Sequence, residues 1–273
     1  MRGLVFALVW PAALPYSLQF VIAWQPNQST NSGLGPPPLE PSVLTSMLGP
    51  QFVVSVARPR LRDDQLFPEE RRHIARAVEV RRAEFATARM QARYALAQLG
   101  VEACPLVPNR DRSPRWPPGI KGSISHTAGC SIVAVTRAPE IAALGVDVEQ
   151  DSPLPAELVP MVCTPQERLW VDGFGPAEKG WLAKLTFSAK EAFYKCQYGL
   201  TQTQLDFAEV QLRIDLPAQA FFVTSIKRDG PQWDRIRRVS GKFRRESGYL
   251  LTTSTLFTSD AGCPPQAWKP ARS

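Results

Sequence analysis

Three carboxylates and one lysine are spaced along this chain in a way that suits a divalent cation with a bound phosphate. Asp147 and Glu149 follow an apolar run of strand length, and alternate strand residues face the same way, so both acids project together while Val148 points into the core. Glu191 and Lys195 lie on one face of a run of good helix formers. Mg²⁺ binds a few carboxylates and completes its shell with water and phosphate oxygens. The pattern predicts a magnesium site built from a strand and a helix.

Each part of this pattern also has an ordinary explanation. A D-x-E sequence at a strand end is commonly a solvated edge, and a Glu and Lys at helical spacing commonly form a surface ion pair. A third element makes the combination more specific. Ser125 and His126 lie in a stretch of small residues, 122–127, just before the apolar run 130–135. This stretch predicts a tight approach where hydroxyls and backbone N–H groups meet an anion.

A serine hydrolase is not indicated. A lone Ser-His pair more often packs or caps than catalyses, and the sequence has no G-x-S-x-G. A phosphotransferase or pyrophosphohydrolase of another kind would need a P-loop or a REXXEE-like acidic cluster, and neither occurs.

Four segments together resemble the Sfp-type 4′-phosphopantetheinyl transferases. They are Arg81–Arg89, Trp116–His126, Gly145–Glu149 and Trp181–Lys195, which carry R-R-x-E-F-x-x-x-R, the serine-histidine stretch, G-V-D-V-E and F-S-A-K-E-A-F-Y-K. The pattern is most similar to the branch that includes the enterobactin synthase component D proteins, and it spans roughly residues 43 to 258. Ala88 and Gly199 depart from that branch, which often has glycine and proline there, and they affect local loop shape only.

The resemblance implies a reaction and its partners. The enzyme would transfer the 4′-phosphopantetheine arm of coenzyme A to a serine of an acyl, peptidyl or aryl carrier protein, in siderophore, polyketide or non-ribosomal peptide synthesis. Adenosine 3′,5′-bisphosphate would leave. Mg²⁺ would be held by Asp147, Glu149 and Glu191. Lys195 would neutralise the leaving phosphate, and Glu191 would take the serine proton directly or through water.

The resemblance also implies which residues face coenzyme A. Arg81 and Arg89 would meet the nucleotide at its 3′-phosphate, and Leu205 would line the pantetheine passage. Arg110, two positions before Arg112, leaves open which of the two contacts phosphate. His73 is expected at the surface. The complete expected set is Arg81, Arg89, Arg112, Ser125, His126, Asp147, Glu191, Lys195 and Leu205.

Composition leaves a second interpretation open. The formal net charge of +7 suits an acidic partner, so the chain could be a non-catalytic basic docking module. Nucleic acid is disfavoured, because no stripe of interleaved basic and aromatic residues is present. Under the transferase interpretation, Lys184 and Lys190 are candidates for the rim that meets an acidic carrier. We expect a monomer without a membrane partner.

The cysteines predict a reducing compartment. Cys104, Cys130, Cys163, Cys196 and Cys263 are odd in number and widely spaced, which favours free thiols in the cytoplasm over disulfides or zinc.

The N-terminus is ambiguous. Residues 3–39 carry no charge, and 4–23 are largely apolar. A poorly structured extension is favoured, and a membrane anchor or signal segment is the alternative.

The coarse architecture is predicted as α+β, with two similar α/β lobes in a pseudo-twofold arrangement and a cleft between them. The divisions are an extension at 1–42, lobes at 43–140 and 141–258, and a frayed tail at 259–273.

Individual elements are predicted from periodicity and turn residues. A first strand is expected at 53–57, and a helix from Arg81 is expected to end at Gly100. Thr164 followed by Pro165 indicates another helix start. The alternating runs 207–214, 220–226 and 249–255 predict antiparallel strands in the second lobe.

Overall fold

The computed structural model describes residues 39–259. Its helices are α1 (Pro41–Leu48), α2 (Pro68–Ile74), α3 (Glu79–Gln98), α4 (Val159–Val162), α5 (Pro165–Asp172), α6 (Pro176–Thr201) and α7 (Pro231–Ile236). Its strands are β1 (Val53–Ala57), β2 (Lys121–Thr127), β3 (Cys130–Thr136), β4 (Ile141–Gln150), β5 (Val210–Asp215), β6 (Ala220–Ile226), β7 (Ser240–Glu246) and β8 (Tyr249–Phe257). Short 3₁₀ turns lie at Asp63–Gln65, Ala156–Leu158 and Phe207–Glu209.

The N-terminal lobe is a three-stranded antiparallel sheet under one long helix. The strand order is β1-β3-β2, and β3 is buried along its whole length. Helix α3 lies on this sheet through small residues, with Ala92 and Ala95 fully buried beside Val133 and Val135. Alanines at helical spacing let the helix come close to the sheet while keeping full helix propensity.

The C-terminal lobe repeats this plan with a larger sheet. Five antiparallel strands run in the order β4-β8-β7-β6-β5, and α6 packs across them. The helix again turns small side chains to the sheet, because Ala189, Ala192 and Cys196 are fully buried. Phe193 and Phe221 fill the remaining volume of this core.

The two lobes share a core and meet at β2 and β4. One buried cluster joins Leu44 of α1 and Ile132 of β3 to Val146 of β4. At the meeting edge, the backbone N–H of Val146 donates to Ser123 Oγ at 3.0 Å. Each buried N–H needs an acceptor, and a serine hydroxyl from the facing strand supplies it here.

The predicted α+β class with antiparallel sheets is confirmed, and several elements lie at or near their predicted positions. The run 207–214, predicted as one strand, is a 3₁₀ turn at Phe207–Glu209 followed by β5 at Val210–Asp215. Strands β1 and β6 have the predicted bounds, and α3 ends just before Gly100, which has a left-handed φ of 71°. The predicted helix start at Thr164 is an N-cap, whose hydroxyl accepts from Glu167 N. The predicted lobe division at 140/141 falls at the start of β4.

Five elements were not predicted: α1, β2, α4, α7 and β7. Strand β2 was expected only as a tight approach, because its sequence K-G-S-I-S-H-T has few β-branched residues. The boundary of the N-terminal extension also needs correction. Leu39 is buried at 4% exposure and α1 begins at Pro41, so the packed structure extends past the predicted edge at residue 42.

The predicted apolar extension lies almost wholly outside the described residues. Within 39–259, none of the helices has the length and apolar character needed to span a bilayer.

Candidate active site

Gly145 sets the distance between the strand and the helix that carry the predicted acids. A Cβ at this position would overlap the backbone of α6 at Ala192 and Cys196. Because glycine has no Cβ, α6 comes against β4 one residue after Glu191 and two residues before Asp147. The glycine of G-V-D-V-E therefore serves a close approach of two backbones.

Asp147 is buried at 3% exposure and is held from three sides. Its Oδ1 accepts from Ser125 Oγ at 2.8 Å and from Lys195 Nζ at 2.7 Å. Its Oδ2 accepts from Ser188 Oγ at 2.8 Å. A buried carboxylate is stable only when charge and hydrogen bonds compensate for lost hydration, and both are present here.

Ser125 connects both lobes at this point. Its hydroxyl donates to Asp147 and accepts from Lys195 Nζ at 3.0 Å and from the Val148 N–H at 3.3 Å. Lys195 also donates to the carbonyl of Val146 at 3.1 Å. The serine of the predicted Ser-His stretch thus orients the lysine and the aspartate, and it is not placed as a nucleophile.

Glu149 projects beside Asp147 and is paired with a lysine. Lys184 Nζ lies 2.8 Å from Glu149 Oε2 and 5.5 Å from the ring centre of Phe187. Burial raises the pKa of Glu149, the Lys184 ammonium opposes that rise, and the charge of Asp147 adds to it.

Glu191 faces the same group of charges from α6. Burial raises the pKa of Glu191 to about 7; Lys195 opposes the rise, and the neighbouring Asp147 and Glu149 carboxylates add to it. The three predicted acids therefore lie close enough to repel one another. A group with this pKa changes its protonation state near neutrality, which suits proton transfer.

The donor chemistry of these acids fits a hard divalent cation, but the acids are not gathered around one point. Within residues 39–259, no group of three or more His, Cys, Asp or Glu side chains is arranged to hold a metal ion. Instead, Asp147 is paired with Lys195, and Glu149 is paired with Lys184. A cation bound here would have to take over carboxylate oxygens that now face ammonium groups.

His126 links the arginine of α3 to the site. Arg81 Nη1 lies 2.9 Å from His126 Nε2, and Glu84 Oε1 lies 3.5 Å from His126 Nδ1. Since a guanidinium only donates, Nε2 accepts and the imidazole proton lies on Nδ1, towards Glu84. Burial, Arg81 and Lys195 lower the pKa of His126 to about 3, so the ring is neutral.

A cavity of about 450 Å³ opens beside these residues in the N-terminal lobe. Arginines dominate its polar lining: Arg81, Arg89, Arg110 and Arg112. Phe85 and Ile124 provide apolar surface, and His126 closes the end towards the acids. A cavity with several cations and an apolar wall fits an anion that carries several phosphates and a planar base.

Arg89 is the most buried of these arginines, at 5% exposure. Its Nε donates to the carbonyl of Leu106 at 2.6 Å, and its guanidinium lies 4.1 Å from the ring centre of Phe85. Burial lowers the pKa of Arg89 to about 10, while the carboxylate of Glu70 opposes the change. The side chain is fixed in one orientation at the cavity wall.

The structure brings most of the predicted residues together. Arg81, Arg89, Arg112 and His126 line the cavity. Asp147, Glu149, Glu191, Lys195 and Ser125 form the adjoining charged cluster. The sequence left open whether Arg110 or Arg112 contacts phosphate. Both arginines line the cavity, so both are available to a bound phosphate.

Leu205 lies in the C-terminal core at 2% exposure, in one cluster with Tyr194 and Trp233, and it is not among the residues that line this cavity, so its place on the pantetheine passage stays a prediction. Two expectations need correction. Lys184 and Lys190 are buried and paired with Glu149 and Glu167, so neither is a rim contact.

His73 is exposed as expected, and it also contributes to the cavity lining. Sequence reasoning missed other residues around the site, notably Glu84, Ser188 and Asn109. Glu84 and Ser188 lie inside the segments that carry the resemblance, but their partners come from other strands and helices.

The chain matches two family profiles. The 4′-phosphopantetheinyl transferase N-terminal domain matches residues 69–136, and the 4′-phosphopantetheinyl transferase superfamily matches residues 143–250. The first range includes the arginines of α3 and the cavity turn, and the second includes all three acids of the cluster.

Curated relatives agree with the profiles. The 4′-phosphopantetheinyl transferase Svp of Streptomyces mobaraensis is 46% identical over 201 residues, which cover 72% of this chain and 80% of the relative. The 4′-phosphopantetheinyl transferase PptT of Mycobacterium tuberculosis is 34% identical over 194 residues, covering 69% of this chain and 85% of the relative. Enterobactin synthase component D of Escherichia coli O157:H7 is 33% identical over 134 residues, covering 48% and 61%. The chain belongs to the 4′-phosphopantetheinyl transferase family of enzymes.

Proposed function

We propose that this enzyme transfers the 4′-phosphopantetheine arm of coenzyme A to a serine of an acyl, peptidyl or aryl carrier protein, with Mg²⁺ as cofactor. The observation that carries the proposal is that His126, which lines the arginine-lined cavity, lies within electrostatic range of Asp147 and Lys195, and that the neighbouring Ser125 is hydrogen-bonded to both. A phosphate-rich ligand in the cavity would present its pyrophosphate to the charged cluster that contains Asp147 and Lys195.

The cavity supports coenzyme A as the donor. Four guanidiniums can neutralise its phosphates, and Phe85 and Ile124 can contact the base. Neutral His126 accepts from Arg81, so it orients this guanidinium without adding a charge that would repel it.

The reaction forms a phosphoester bond and breaks a phosphoanhydride bond. The carrier serine oxygen forms a bond to the phosphorus that bears pantetheine, and the bond from that phosphorus to the bridging oxygen breaks. Adenosine 3′,5′-bisphosphate leaves with that oxygen. Such a displacement needs positioning and charge stabilisation more than covalent help.

Each residue of the cluster has a proposed role in that step. Glu191 takes the serine proton directly or through a water. Lys195, held by Ser125 and Asp147, neutralises the leaving phosphate. Asp147, Glu149 and Glu191 would hold Mg²⁺, which supplies Lewis-acid stabilisation of the pyrophosphate oxygens.

The biological setting is proposed on the same basis. The carrier serves siderophore, polyketide or non-ribosomal peptide synthesis, and the enzyme acts as a monomer. Cys104, Cys130, Cys163 and Cys196 are free thiols, which suits the cytoplasm.

The proposal is tested by incubating the enzyme with coenzyme A, Mg²⁺ and a panel of apo acyl, peptidyl and aryl carriers. Intact-protein mass spectrometry should detect one phosphopantetheine added to at least one carrier, and chelation should stop the reaction. A basic docking module would bind an acidic carrier without modifying it. Binding without modification, across the panel and at millimolar Mg²⁺, would overturn the proposal.

A further inference from the structure

One hydrogen bond connects the cavity arginines to the helix that carries Glu191 and Lys195. Tyr198 Oη on α6 donates to Asp111 Oδ2 in the N-terminal lobe at 2.6 Å. Asp111 lies between Arg110 and Arg112, both of which line the cavity. Neither residue of this pair is used by the proposed chemistry.

Asp111 belongs to a compact turn between Pro108 and Pro114, which face each other across an isolated antiparallel bridge. Inside the turn, the Arg112 N–H donates to the carbonyl of Asn109 at 2.9 Å. Ser113 donates twice to Asp111 Oδ1, from its N–H at 2.9 Å and from its hydroxyl at 2.7 Å. Oδ1 is thereby used within the turn, and Oδ2 is left for Tyr198.

The backbone of the turn is unusual at Arg112. Its φ of 69° lies in the left-handed region, which a residue with a long side chain enters only when surrounding contacts hold it there. The two hydrogen bonds from Ser113 to Asp111 and the bond from Tyr198 are such contacts. They hold the residue immediately before Arg112.

Tyr198 lies on the catalytic face of α6. It follows Glu191 by two helical turns and Lys195 by one, so the three side chains project from one side of the helix. Its ring stacks on Tyr194, with ring centres 5.7 Å apart and planes inclined by 19°. Burial and the neighbouring Asp111 raise the pKa of Tyr198 to about 12, so the phenol remains a donor.

The hydrogen bond also affects which charged groups the Asp111 carboxylate can pair with. Asp111 is the acid nearest in sequence to Arg110 and Arg112, and its carboxylate is satisfied by hydroxyl and amide donors. Without the Tyr198 donor, Oδ2 would be free to pair with a neighbouring guanidinium. That guanidinium would then be less available to a phosphate.

We infer that Tyr198 and Asp111 are positioning residues: their hydrogen bond holds the 108–114 turn against α6 and keeps Arg110 and Arg112 directed into the cavity. This inference rests on the proposed function for the identity of the ligand, coenzyme A. It adds that occupation of the cavity by the nucleotide depends on one inter-lobe contact between the 108–114 turn and α6.

The test uses the full chain with Tyr198→Phe, Asp111→Ala and the double variant. Tyr94→Phe is the matched control, because Tyr94 is 63% exposed on α3 and is absent from the cavity lining. Thermal melting checks that each variant folds. Calorimetry gives the Kd for coenzyme A, steady-state assays give KM and kcat separately, and hydrogen exchange follows the amides of Arg112 and Ser113.

For Tyr198→Phe we expect coenzyme A to bind roughly five- to tenfold more weakly, which is the size of effect of one ordinary hydrogen bond. The KM for coenzyme A should rise by a similar factor while kcat falls less than about twofold, and the amides of Arg112 and Ser113 should exchange faster. The double variant should bind coenzyme A no more weakly than the weaker-binding single variant, because both substitutions remove the same contact. Tyr94→Phe should match the wild type in every measurement.

Wild-type Kd and unchanged amide exchange in Tyr198→Phe would overturn the inference. Failure of the wild-type enzyme to bind coenzyme A would instead remove the proposed function. Even then, amide exchange would show whether the hydrogen bond stabilises the 108–114 turn. Unchanged exchange rates in both single variants would mean that it does not. If Tyr198→Phe does not fold, Asp111→Ala removes the same hydrogen bond from the other side and is followed by the same two measurements.

Discussion

Gly145 lies against Ala192 so closely that a Cβ on the glycine would be 1.9 Å from the Ala192 carbonyl oxygen. The contact is between two backbones, so neither side chain can move aside to relieve it. It determines how near α6 comes to β4, and with that the distance from Lys195 to Asp147, which is 2.7 Å.

We therefore expect Gly145→Ala to lower the melting temperature and to reduce transfer activity sharply. Overpacking a tight core commonly costs about 1–3 kcal/mol, and a backbone clash belongs at or above the upper end. Gly199→Ala is the matched control on α6, because a Cβ there meets no atom within 4 Å. Alanine in a helix should stabilise that variant by roughly 0.5–1 kcal/mol. Equal melting temperatures for the two variants would contradict the close-approach argument.

The acids of the cluster should differ in what their loss does. Glu149→Gln and Glu191→Gln should abolish Mg²⁺-dependent transfer to a carrier. Glu191→Gln should leave the melting temperature little changed, whereas Glu149→Gln should lower it, because the buried Lys184 loses its carboxylate partner. Asp147→Asn should lose activity and also stability, because Asp147 is the buried partner of Lys195, Ser125 and Ser188. Mass spectrometry of the carrier and thermal melting separate the two effects.

The exposed Glu157→Gln is the control for this series and should behave as the wild type. Normal carrier modification by Glu149→Gln or Glu191→Gln at millimolar Mg²⁺ would contradict the proposed ligand set.

The buried His126 should make stability depend on pH. Its pKa is about 3 in the native protein, below the ordinary value of 6.5, so the unfolded chain takes up a proton there first as pH falls. This contribution to stability is present above pH 6.5 and is lost as pH falls towards 3. By linkage it should shrink by about 2 kcal/mol between pH 7 and pH 5.

The measurement is the unfolding free energy of wild type and His126→Gln, from denaturant titrations at pH 7, 6 and 5. The unfolding free energy of the wild type minus that of His126→Gln should decrease as pH falls. A constant difference would mean that the pKa of His126 is the same in the native enzyme and in the unfolded chain.

Lys190 should matter for folding and not for the partner surface. Its Nζ lies 2.7 Å from Glu167 Oε2 and donates to the carbonyls of Val162 and Phe207 at 2.9 and 2.8 Å. Removing one member of such a buried pair costs about 3–5 kcal/mol. Lys190→Met should therefore lower stability by that order in chemical denaturation.

Lys179→Met on the same helix is the control, because its pair with Asp172 is exposed and such pairs contribute about 0–1 kcal/mol. If Lys190→Met were as stable as Lys179→Met and instead changed the KM for the carrier, the rim assignment from the sequence would be correct.

The packed structure should tolerate truncation only up to Leu39. A variant lacking residues 1–42 loses the buried Leu39 and the first turn of α1, so we expect at least about 2 kcal/mol of lost stability. A variant lacking residues 1–37 should melt at the wild-type temperature. Full-length Leu39→Ala separates the side chain from the rest of the deletion. Identical melting of both truncations would show that Leu39 contributes nothing.

Local patterns were enough to predict the ends and faces of several elements. Pro165 after Thr164 marks a helix start, and Gly100 after α3 marks a helix end, because these residue types restrict their own backbone. The alternation of Asp147, Val148 and Glu149 predicted a shared face for the acids, because side-chain direction in a strand has a period of two.

The sequence by itself therefore determined the family and the α+β class, since these depend on residue types at short spacings, and it supplied the site residues that the proposed function uses. Tertiary structure decided the partners. Lys190 looks like a surface lysine in sequence, yet it is buried because Glu167, 23 positions earlier, folds onto it. Leu205 entered the core, and Tyr198 reached Asp111 across 87 positions. Such pairings depend on how the two lobes pack, and no local periodicity encodes them.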